Sequence, residues 1–234
     1  NLREQSGADA AACGLTYLLP DGKQSAQSQL PAGIYGEKEI REKLTGPLVG
    51  DRLTQPVFNG YSVCYLFSAE LIRKARITFA GPYLEDELFV LEYFCNARSL
   101  AVTDQPLYRY FLHGESATHH YMQNFPQVFS RFMERKEALV AKYGLESARP
   151  QWRESSNWAG LLIAVGNEYA RDNPKTIRQR QKAVKEFCQR PEMEKAIREL
   201  APMGLSPNKQ MVANLVRGKH FFTLTQLYRL KNRI

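Results

Sequence analysis

The sequence predicts a mixed α/β protein that ends in an all-helical region. Three apolar runs are compatible with buried strands, at 9–19, 99–103 and 107–111. A helical pattern lies between the first run and the other two, which is the alternation typical of α/β proteins. After residue 121 only helical patterns remain. We therefore expect an α/β part over 1–120 and an all-helical part over 121–234.

The first elements are set by turn residues and by polar composition. In chain order we predict a helix over 2–8, a strand over 9–19, a turn at 20–23, a loop over 24–33 and a helix over 37–44. Gly7 closes the first helix, and Asp21-Gly22 is a strong turn dipeptide. Gly46-Pro47 is expected to end the last of these helices, because proline lacks the N–H that a helix interior needs.

The second half of the α/β part contains two further helices. Over 59–79, a strand leads into a helix with Ser68 as its N-cap and Glu70 in its first turn. Phe79 ends this strand–helix segment. The next helix covers 85–97, with Leu88, Leu91 and Cys95 at helical spacing. Two strands follow over 99–103 and 107–111, with a turn at Asp104-Gln105-Pro106 between them.

The helical part contains six candidate helices, over 124–143, 152–171, 174–189, 191–200, 206–217 and 219–233. Pro174, Pro191 and Pro207 are each expected at the first helical position, where the missing N–H costs nothing. No internal repeat or low-complexity segment occurs.

Charge is unevenly distributed along the chain. The net charge is +8, and no Asp or Glu follows Glu199. Six cations lie in this tail, at Lys209, Arg217, Lys219, Arg229, Lys231 and Arg233. Such a run favours an anionic partner, namely lipid head groups, nucleic acid or a phosphorylated substrate. The alternative is a basic tail that is simply solvated.

The cysteines and the hydropathy bear on the compartment. Cys13, Cys64, Cys95 and Cys188 form neither a CxxC pair nor a zinc spacing. We expect buried, reduced thiols, and disulfides remain the alternative. No apolar run is long enough to span a bilayer as a helix. The expected location is cytoplasmic, with peripheral attachment to the inner face of the membrane as an option.

The segment most informative about chemistry is the acidic start of the helix over 85–97. Glu85 and Asp86, with Glu87 after them, lie where free N–H groups and the helix dipole favour ionised carboxylates. A carboxylate held ionised at a loop–helix junction can act as a general base toward a hydroxyl. Acidic residues at a helix start are also common caps, and the local pattern alone does not separate the two interpretations.

The order of elements around this pair resembles family 2 glycosyltransferases of the bacterial surface-polysaccharide kind, which have the GT-A fold. The matching elements are Tyr61 to Leu71, Ile77 to Phe79, Glu85-Asp86 with Phe89, Leu107 to Tyr110, and Ser116. The stretch from Gly7 to Gly14 looks like the strand that follows the metal-binding motif of that family. The resemblance covers roughly 1–120, and implies that this part is the acceptor-side half of a GT-A domain.

The resemblance implies an inverting transfer of a sugar from a nucleotide-diphosphate donor to a saccharide acceptor, expected to be lipid-linked. Asp86 would be the general base, with Glu85 as second choice or as a neighbour that orients the acceptor. A Mg²⁺ or Mn²⁺ ion would offset the charge of the leaving diphosphate. Arg109 and His113 would approach the diphosphate, and Tyr108 would contact substrate. The alternative for Arg109 and His113 is that they are exposed loop residues. The alternative for Tyr108 and Tyr110 is packing in the core.

The sequence departs from the family in its donor-binding residues. No Asp-x-Asp motif and no Gly-rich phosphate loop occurs. We therefore expect a fragment whose nucleotide-binding half would precede Asn1, and which is inactive alone. His119-His120 is a weak metal candidate, because adjacent residues on a strand point to opposite faces and zinc spacings are absent.

The last segment, 219–234, has two interpretations. Phe221, Leu224, Leu227, Tyr228 and Ile234 lie broadly on one helical side, with Arg229 and Arg233 on the other. Such a helix can lie in a membrane interface, which makes 206–234 a candidate anionic-membrane surface. It can equally pack on the helical domain.

The basic tail also suggests an alternative function for the chain, namely a non-catalytic basic helical module that binds anionic lipid or nucleic acid. Nucleic acid is the less expected partner, because aromatic residues are not interleaved with the cations on a recognisable nucleic-acid fold.

Overall fold

The computed structural model describes residues 2–19, 21–28, 30–50, 60–79, 81, 84–111, 120–202 and 204–232. The protein is mixed α/β, with a curled mixed sheet and several helices that follow it. Two compact units are present. The sheet unit comprises the described residues of 1–49, 55–113 and 134–149, and the helical unit those of 50–54, 114–133 and 150–234. The units do not divide the chain at one point, because the helix over 125–142 contributes its second half to the sheet unit.

The sheet is built around two parallel strands. In the sheet unit the strands are β1 (Ala10–Leu18), β2 (Gln24–Gln27), β3 (Gly33–Gly36), β4 (Tyr65–Phe67) and β5 (Ser99–Phe111). β1 and β5 pair in parallel, from Ala10 opposite Leu100 to Leu18 opposite Phe111. The other edge of β1 is shared by antiparallel β4, along its first half, and antiparallel β2, along its second. β3 pairs antiparallel with the first residues of β5.

The helices of the sheet unit are α1 (Leu2–Ser6), α2 (Glu37–Ile40), α3 (Gly46–Gly50), α4 (Ala69–Ala75) and α5 (Glu85–Asn96). Ser68 caps α4 as predicted, since its side chain accepts a hydrogen bond from the backbone N–H of Leu71 at 3.4 Å. α4 ends at Ala75, before the predicted Phe79, because Arg76 takes the left-handed conformation with φ 54°. The predicted helix over 85–97 is confirmed.

Three further sequence predictions for the sheet unit are wrong. Residues 24–27 are a strand rather than a loop, because they form a hairpin with the second half of β1. The turn predicted at 104–106 is a bulge inside one continuous strand, β5. There Gly14 of β1 lies so close to β5 that an added Cβ would meet the carbonyl oxygens of Asp104 and Gln105 at 3.3 and 3.4 Å.

The third error concerns Gly46-Pro47, which does not end a helix. A π-helical segment over Arg41–Thr45 joins α2 to α3. The N–H of Gly46 bonds the carbonyl of Arg41, five residues back, so the hydrogen-bond register shifts just before the proline. Pro47 thus lies in the first turn of α3, where its missing N–H is tolerated.

The core of the sheet unit is aromatic and centres on α5. Tyr93 is fully buried, accepts a hydrogen bond from the N–H of Ser68 at 2.9 Å and donates one to the carbonyl of Asp9 at 2.6 Å. Its ring also packs edge-on against Phe67 with centroids 4.6 Å apart. One side chain on α5 therefore links β1, β4 and the start of α4.

The helices of the second half are α6 (Phe125–Lys142), α7 (Trp152–Glu168), α8 (Ile177–Cys188), α9 (Pro191–Glu199), α10 (Pro207–Arg217) and α11 (Phe221–Asn232). Pro191 and Pro207 begin α9 and α10 as predicted. The predicted start at Pro174 is wrong. α8 begins at Ile177 because Thr176 and Gln179 form a reciprocal capping box.

The helical unit has a core of its own, organised around α7. Trp158 is fully buried, and its indole N–H donates to the carbonyls of Ala196 and Leu200 at 3.0 Å. Gly160 admits the ring of Phe129, whose nearest atom is 2.2 Å from where a Cβ would lie. α11 packs into this unit through Leu224, Thr225 and Tyr228, and Tyr228 stacks on Tyr169 with centroids 4.8 Å apart. The packed interpretation of the last helix is therefore correct for this face.

Candidate functional site

The start of α5 brings three carboxylates together without a capping side chain. Its N-cap is Leu84, which has a left-handed φ of 62° and makes no side-chain capping bond. Glu85, Asp86 and Glu87 occupy the first helical turn. The positive end of the helix dipole and the free N–H groups favour negative charge there. The three side chains nevertheless have different surroundings.

Asp86 is the carboxylate with a hydroxyl partner. The Ser62 side chain donates a hydrogen bond to Asp86 Oδ1 at 2.8 Å. Both residues are half-buried, so the pair is reachable from solvent. Ser62 fixes the orientation of a carboxylate that keeps its second oxygen for another interaction. Glu85 beside it is also half-buried.

Glu87 faces the interior and is paired. Lys136 of α6, which is completely buried, lies 3.1 Å from Glu87 Oε1 and donates to the carbonyl oxygen of Leu48 at 3.0 Å. The lysine thus ties the first turn of α5 to α3 inside the sheet unit. A buried ion pair of this kind holds geometry more than it adds stability, since desolvation offsets much of the Coulomb attraction.

Gly60 brings the chain close to this turn. It has a φ of +64°, and an added Cβ would lie 3.0 Å from Glu87 Cα and 3.3 Å from Leu48 Cδ2. Two residues later comes Ser62. The position therefore requires glycine both for its conformation and for its approach to α5.

We expect Gly60→Ala to destabilise the sheet unit by more than the roughly 1–2 kcal/mol of a left-handed alanine. The added methyl group would press against the backbone of Glu87 and move Ser62 away from Asp86. Gly7→Ala is the matched control, because Gly7 has a φ of +66° with nothing within 4 Å of an added Cβ. Urea unfolding of both variants measures the difference, and equal losses would contradict the close approach.

A tyrosine cluster lies beside Ser62, at the carboxyl ends of the parallel strands. Tyr61 stacks on Tyr110 of β5 with centroids 5.8 Å apart, and Tyr17 of β1 meets Tyr110 edge-on at 5.7 Å. Burial, followed by the neighbouring Tyr17 and Tyr110, raises the pKa of Tyr61 to about 12. All three rings are half-buried. Carboxyl ends of parallel strands are where open α/β sheets bind ligands. The cluster is an aromatic surface at this end of the sheet, and its member Tyr61 directly precedes Ser62, the hydroxyl partner of Asp86.

The predicted substrate-binding residues lie differently. Tyr108 is half-buried on β5, opposite Leu15, and shares a strand face with Tyr110. Arg109 is exposed and alternates to the other face of the strand. The structure therefore brings Tyr110 to the Tyr61–Ser62 segment and does not bring Arg109 there. His113 lies outside the described residues, as do Ser116 and His119.

Two residues that carry the family resemblance are in contact. Phe79 stacks on Phe89 of α5 with centroids 4.0 Å apart and an interplanar angle of 14°. Phe79 remains 52% exposed, so its second face is open. The stack holds the segment that precedes α5 against the helix that presents Asp86.

His120 has a carboxylate partner in the helical unit. Its Nδ1 lies 3.0 Å from Asp172 Oδ2, and Asp172 also accepts from the N–H of Tyr121 at 3.0 Å. That backbone hydrogen bond, followed by the histidine, lowers the pKa of Asp172. Both side chains are exposed, so this is a surface pair.

A cleft of about 220 Å³ lies in the helical unit between α7 and α8. Its wall includes Val165, Val184 and Phe187. Two of its polar groups engage each other, since Lys175 pairs with Glu168 at 2.9 Å, and Glu168 also accepts from Asn173. The cleft points to no particular ligand.

Burial disfavours the thiolate form of three cysteines, and the described residues contain no metal-binding cluster. The four cysteines are free, as expected, but only Cys64 and Cys188 are buried as predicted, while Cys13 and Cys95 are half-buried. Burial raises the pKa of Cys95 and Cys188 to about 12 and also raises that of Cys13, which disfavours the thiolate. In the ranges that the structure covers, no group of three or more His, Cys, Asp or Glu could hold a metal.

Comparison with known proteins gives no family assignment: no family model matches the chain, and no curated protein matches it. Across the part of the chain that the structure describes, no helix is both long and apolar enough to cross a bilayer.

The sequence pattern does not indicate Ser62, Tyr17 or Tyr61 as site residues. Ser62 and Asp86 are 24 positions apart, so no local pattern relates them. The one local signal is Gly60, a glycine directly before an apolar strand pattern, which can mark a close backbone approach.

Proposed function

We propose that the chain supplies the acceptor side of an inverting glycosyltransferase site, in which Asp86 is the general base. The observation that carries the proposal is the Ser62–Asp86 hydrogen bond beside the tyrosine cluster. An oriented, solvent-reachable carboxylate at a helix N-terminus can take a proton from an acceptor hydroxyl as that hydroxyl attacks the anomeric carbon. The nucleotide diphosphate leaves with the bonding electrons.

The aromatic surface supports a saccharide acceptor. Sugar rings have apolar C–H faces that pack against aromatic rings, and Tyr61 and Tyr110 are both half-buried. Burial raises the pKa of Tyr61 to about 12, so the hydroxyl of Tyr61 is protonated at physiological pH. The donor, a nucleotide-diphosphate sugar, and its divalent metal would be bound by residues of the GT-A kind that this sequence lacks. The GT-A assignment rests on the resemblance of residues 1–120. The enzyme would work in surface-polysaccharide synthesis on lipid-linked acceptors, at the inner face of the cell membrane.

Acceptor binding is testable on the chain as it is. Titration with a panel of mono- and disaccharides, followed by NMR, should shift the amides of Tyr61, Ser62 and Asp86. Tyr61→Ala should weaken the effect, while Tyr143→Ala should not, because Tyr143 bonds Asn96 at the other end of α5. The absence of any saccharide-dependent shift at these residues would contradict the acceptor role.

Asp86→Asn should lower sugar transfer by about 10²- to 10⁴-fold in a protein that joins this chain to a nucleotide-binding half. Donor binding should be unchanged, because the substitution removes only the proton acceptor. Glu70→Gln is the matched control, since Glu70 is an exposed acid in the first turn of α4. A wild-type rate of sugar transfer in Asp86→Asn would exclude Asp86 as the base and leave Glu85 as the candidate.

A second candidate function is a non-catalytic basic module. It is favoured by the exposed, acid-free cations of α10 and α11. It needs no role for Asp86, so loss of transfer in Asp86→Asn argues against it as the sole function.

A further inference from the structure

The outer face of α11 combines an apolar row with flanking cations. Phe222 and Leu230 are 71% and 82% exposed, although both are large apolar residues. With Gln226 they follow i, i+4, i+8 spacing and so form one row along the helix. The buried residues Leu224 and Tyr228 lie on the opposite side. α11 therefore has two apolar faces, of which only one is packed.

Cations flank Leu230 on both sides. Arg229 and Lys231 are its neighbours in sequence, and a rotation of about 100° per residue places them on either side of Leu230. Lys219, exposed in the turn before α11, has a left-handed φ of 56°. Arg217 and Lys209 on α10 are also exposed.

The charge of this region is not compensated within it. No Asp or Glu occurs after Glu199, and in the described part of the chain none of these five cations forms an ion pair. Arg229 instead donates to Gln226, and Lys231 lies over the Tyr228 ring at 5.7 Å. A surface with net positive charge and no internal counter-charge attracts an anionic partner.

We propose that the exposed row of α11 with Phe222 and Leu230, together with the exposed cations Lys209, Arg217, Lys219, Arg229 and Lys231 of the same region, binds an anionic lipid surface. The two apolar side chains enter the acyl boundary while the cations remain among the head groups. Exposed apolar side chains favour a lipid surface over nucleic acid, because phosphate contacts use the cations alone. The proposal makes no use of Asp86.

Vesicle co-sedimentation tests this directly. The protein should bind mixed phosphatidylglycerol–phosphatidylcholine vesicles and bind phosphatidylcholine alone much more weakly. Binding should fall as salt is raised, since screening weakens the attraction of the cations. Each cation replaced by glutamine should lower the partition coefficient about fivefold. The double variant Phe222→Ser/Leu230→Ser should lower it about tenfold or more.

Matched controls separate this surface from general basicity. Arg178→Gln removes an exposed cation of α8, and Ile34→Ser removes an exposed apolar residue of β3 that is 61% accessible. Neither should change vesicle binding. Circular dichroism of each variant verifies that the fold is retained, as expected for exposed positions.

Three outcomes would overturn the proposal. One is failure to bind the anionic vesicles at low salt. Another is vesicle binding that Phe222→Ser/Leu230→Ser leaves unchanged, which would reduce the surface to a charge effect. The third is tighter binding to duplex DNA, across the same salt series, with no contribution from Phe222 and Leu230, which would assign the cations to nucleic acid. Vesicle binding does not depend on Asp86. The membrane proposal therefore holds whether or not Asp86→Asn is active in sugar transfer, and each proposal can fail without the other.

Discussion

Lys136→Met should lower the free energy of unfolding of the sheet unit by about 3–5 kcal/mol. Lys136 is completely buried and its ammonium group contacts Glu87 Oε1 and the Leu48 carbonyl. Methionine fills a similar volume but cannot donate a hydrogen bond. Glu87 would then be a buried carboxylate without this cation, which is the costly half of a broken pair. Native-state hydrogen exchange of α5 and α6 amides measures the loss within this unit.

The same helix carries a matched control. Lys142 contacts Glu92 Oε1 at 2.9 Å, but its side chain is 52% exposed. Lys142→Met should therefore cost less than about 1 kcal/mol. The double variant Lys136→Met/Glu87→Leu should recover much of the loss, because it removes both charges together. If Lys136→Met proved no more damaging than Lys142→Met, burial of the pair would not govern its energetics.

Arg180→Met should destabilise the helical unit by a similar amount, about 3–5 kcal/mol. The buried Arg180 guanidinium donates to three backbone carbonyls, at 2.9 Å to Lys175, at 2.8 Å to Ala170, and to Asn173. These carbonyls belong to the segment between α7 and α8, whose other hydrogen bonds are local turn and side-chain contacts. Methionine would leave them without the charged donor, and charged hydrogen bonds are the stronger kind.

Two variants discriminate the cause. Arg178→Met removes an exposed cation two residues earlier and should change stability by no more than about 0.5 kcal/mol. Arg180→Lys keeps the charge but offers one nitrogen instead of a planar fork, so it should recover only part of the loss. Full recovery by lysine would mean that charge alone, and not the three-way geometry, holds this segment. Thermal unfolding measures the stability of each variant, and hydrogen exchange of the amides over 170–176 shows whether the loss is in this segment.

Local features of the sheet unit were largely predictable. The Ser68 cap and the helix over 85–97 depend on residues within a few positions of one another, and both are confirmed. Features that depend on partners far along the chain were not. The strand at 24–27 has no apolar alternation and is exposed throughout, and it exists because it pairs with β1. The bulge at 104–106 has turn residues, and only the pairing of β5 with β1 keeps the strand continuous.

The same difference between local and long-range features holds for the candidate site. Asp86 could be singled out because an acidic helix start is a local pattern. Its hydroxyl partner Ser62 could not, and neither could the tyrosine cluster, whose members come from β1, the segment before β4, and β5. Asp86 as the base, Glu85 as its neighbour, and the substrate roles of Tyr108, Arg109 and His113 all stay predictions.

What the sequence by itself determined is the presence of three consecutive carboxylates at the first turn of α5, because helix starts are set by neighbouring residues. Only the tertiary structure decided that they differ. Asp86 meets a hydroxyl 24 positions away, and Glu87 meets a buried ammonium group 49 positions away. The physical reason is that a carboxylate's surroundings depend on what the fold places within hydrogen-bond distance. No pattern of neighbouring residues contains that information.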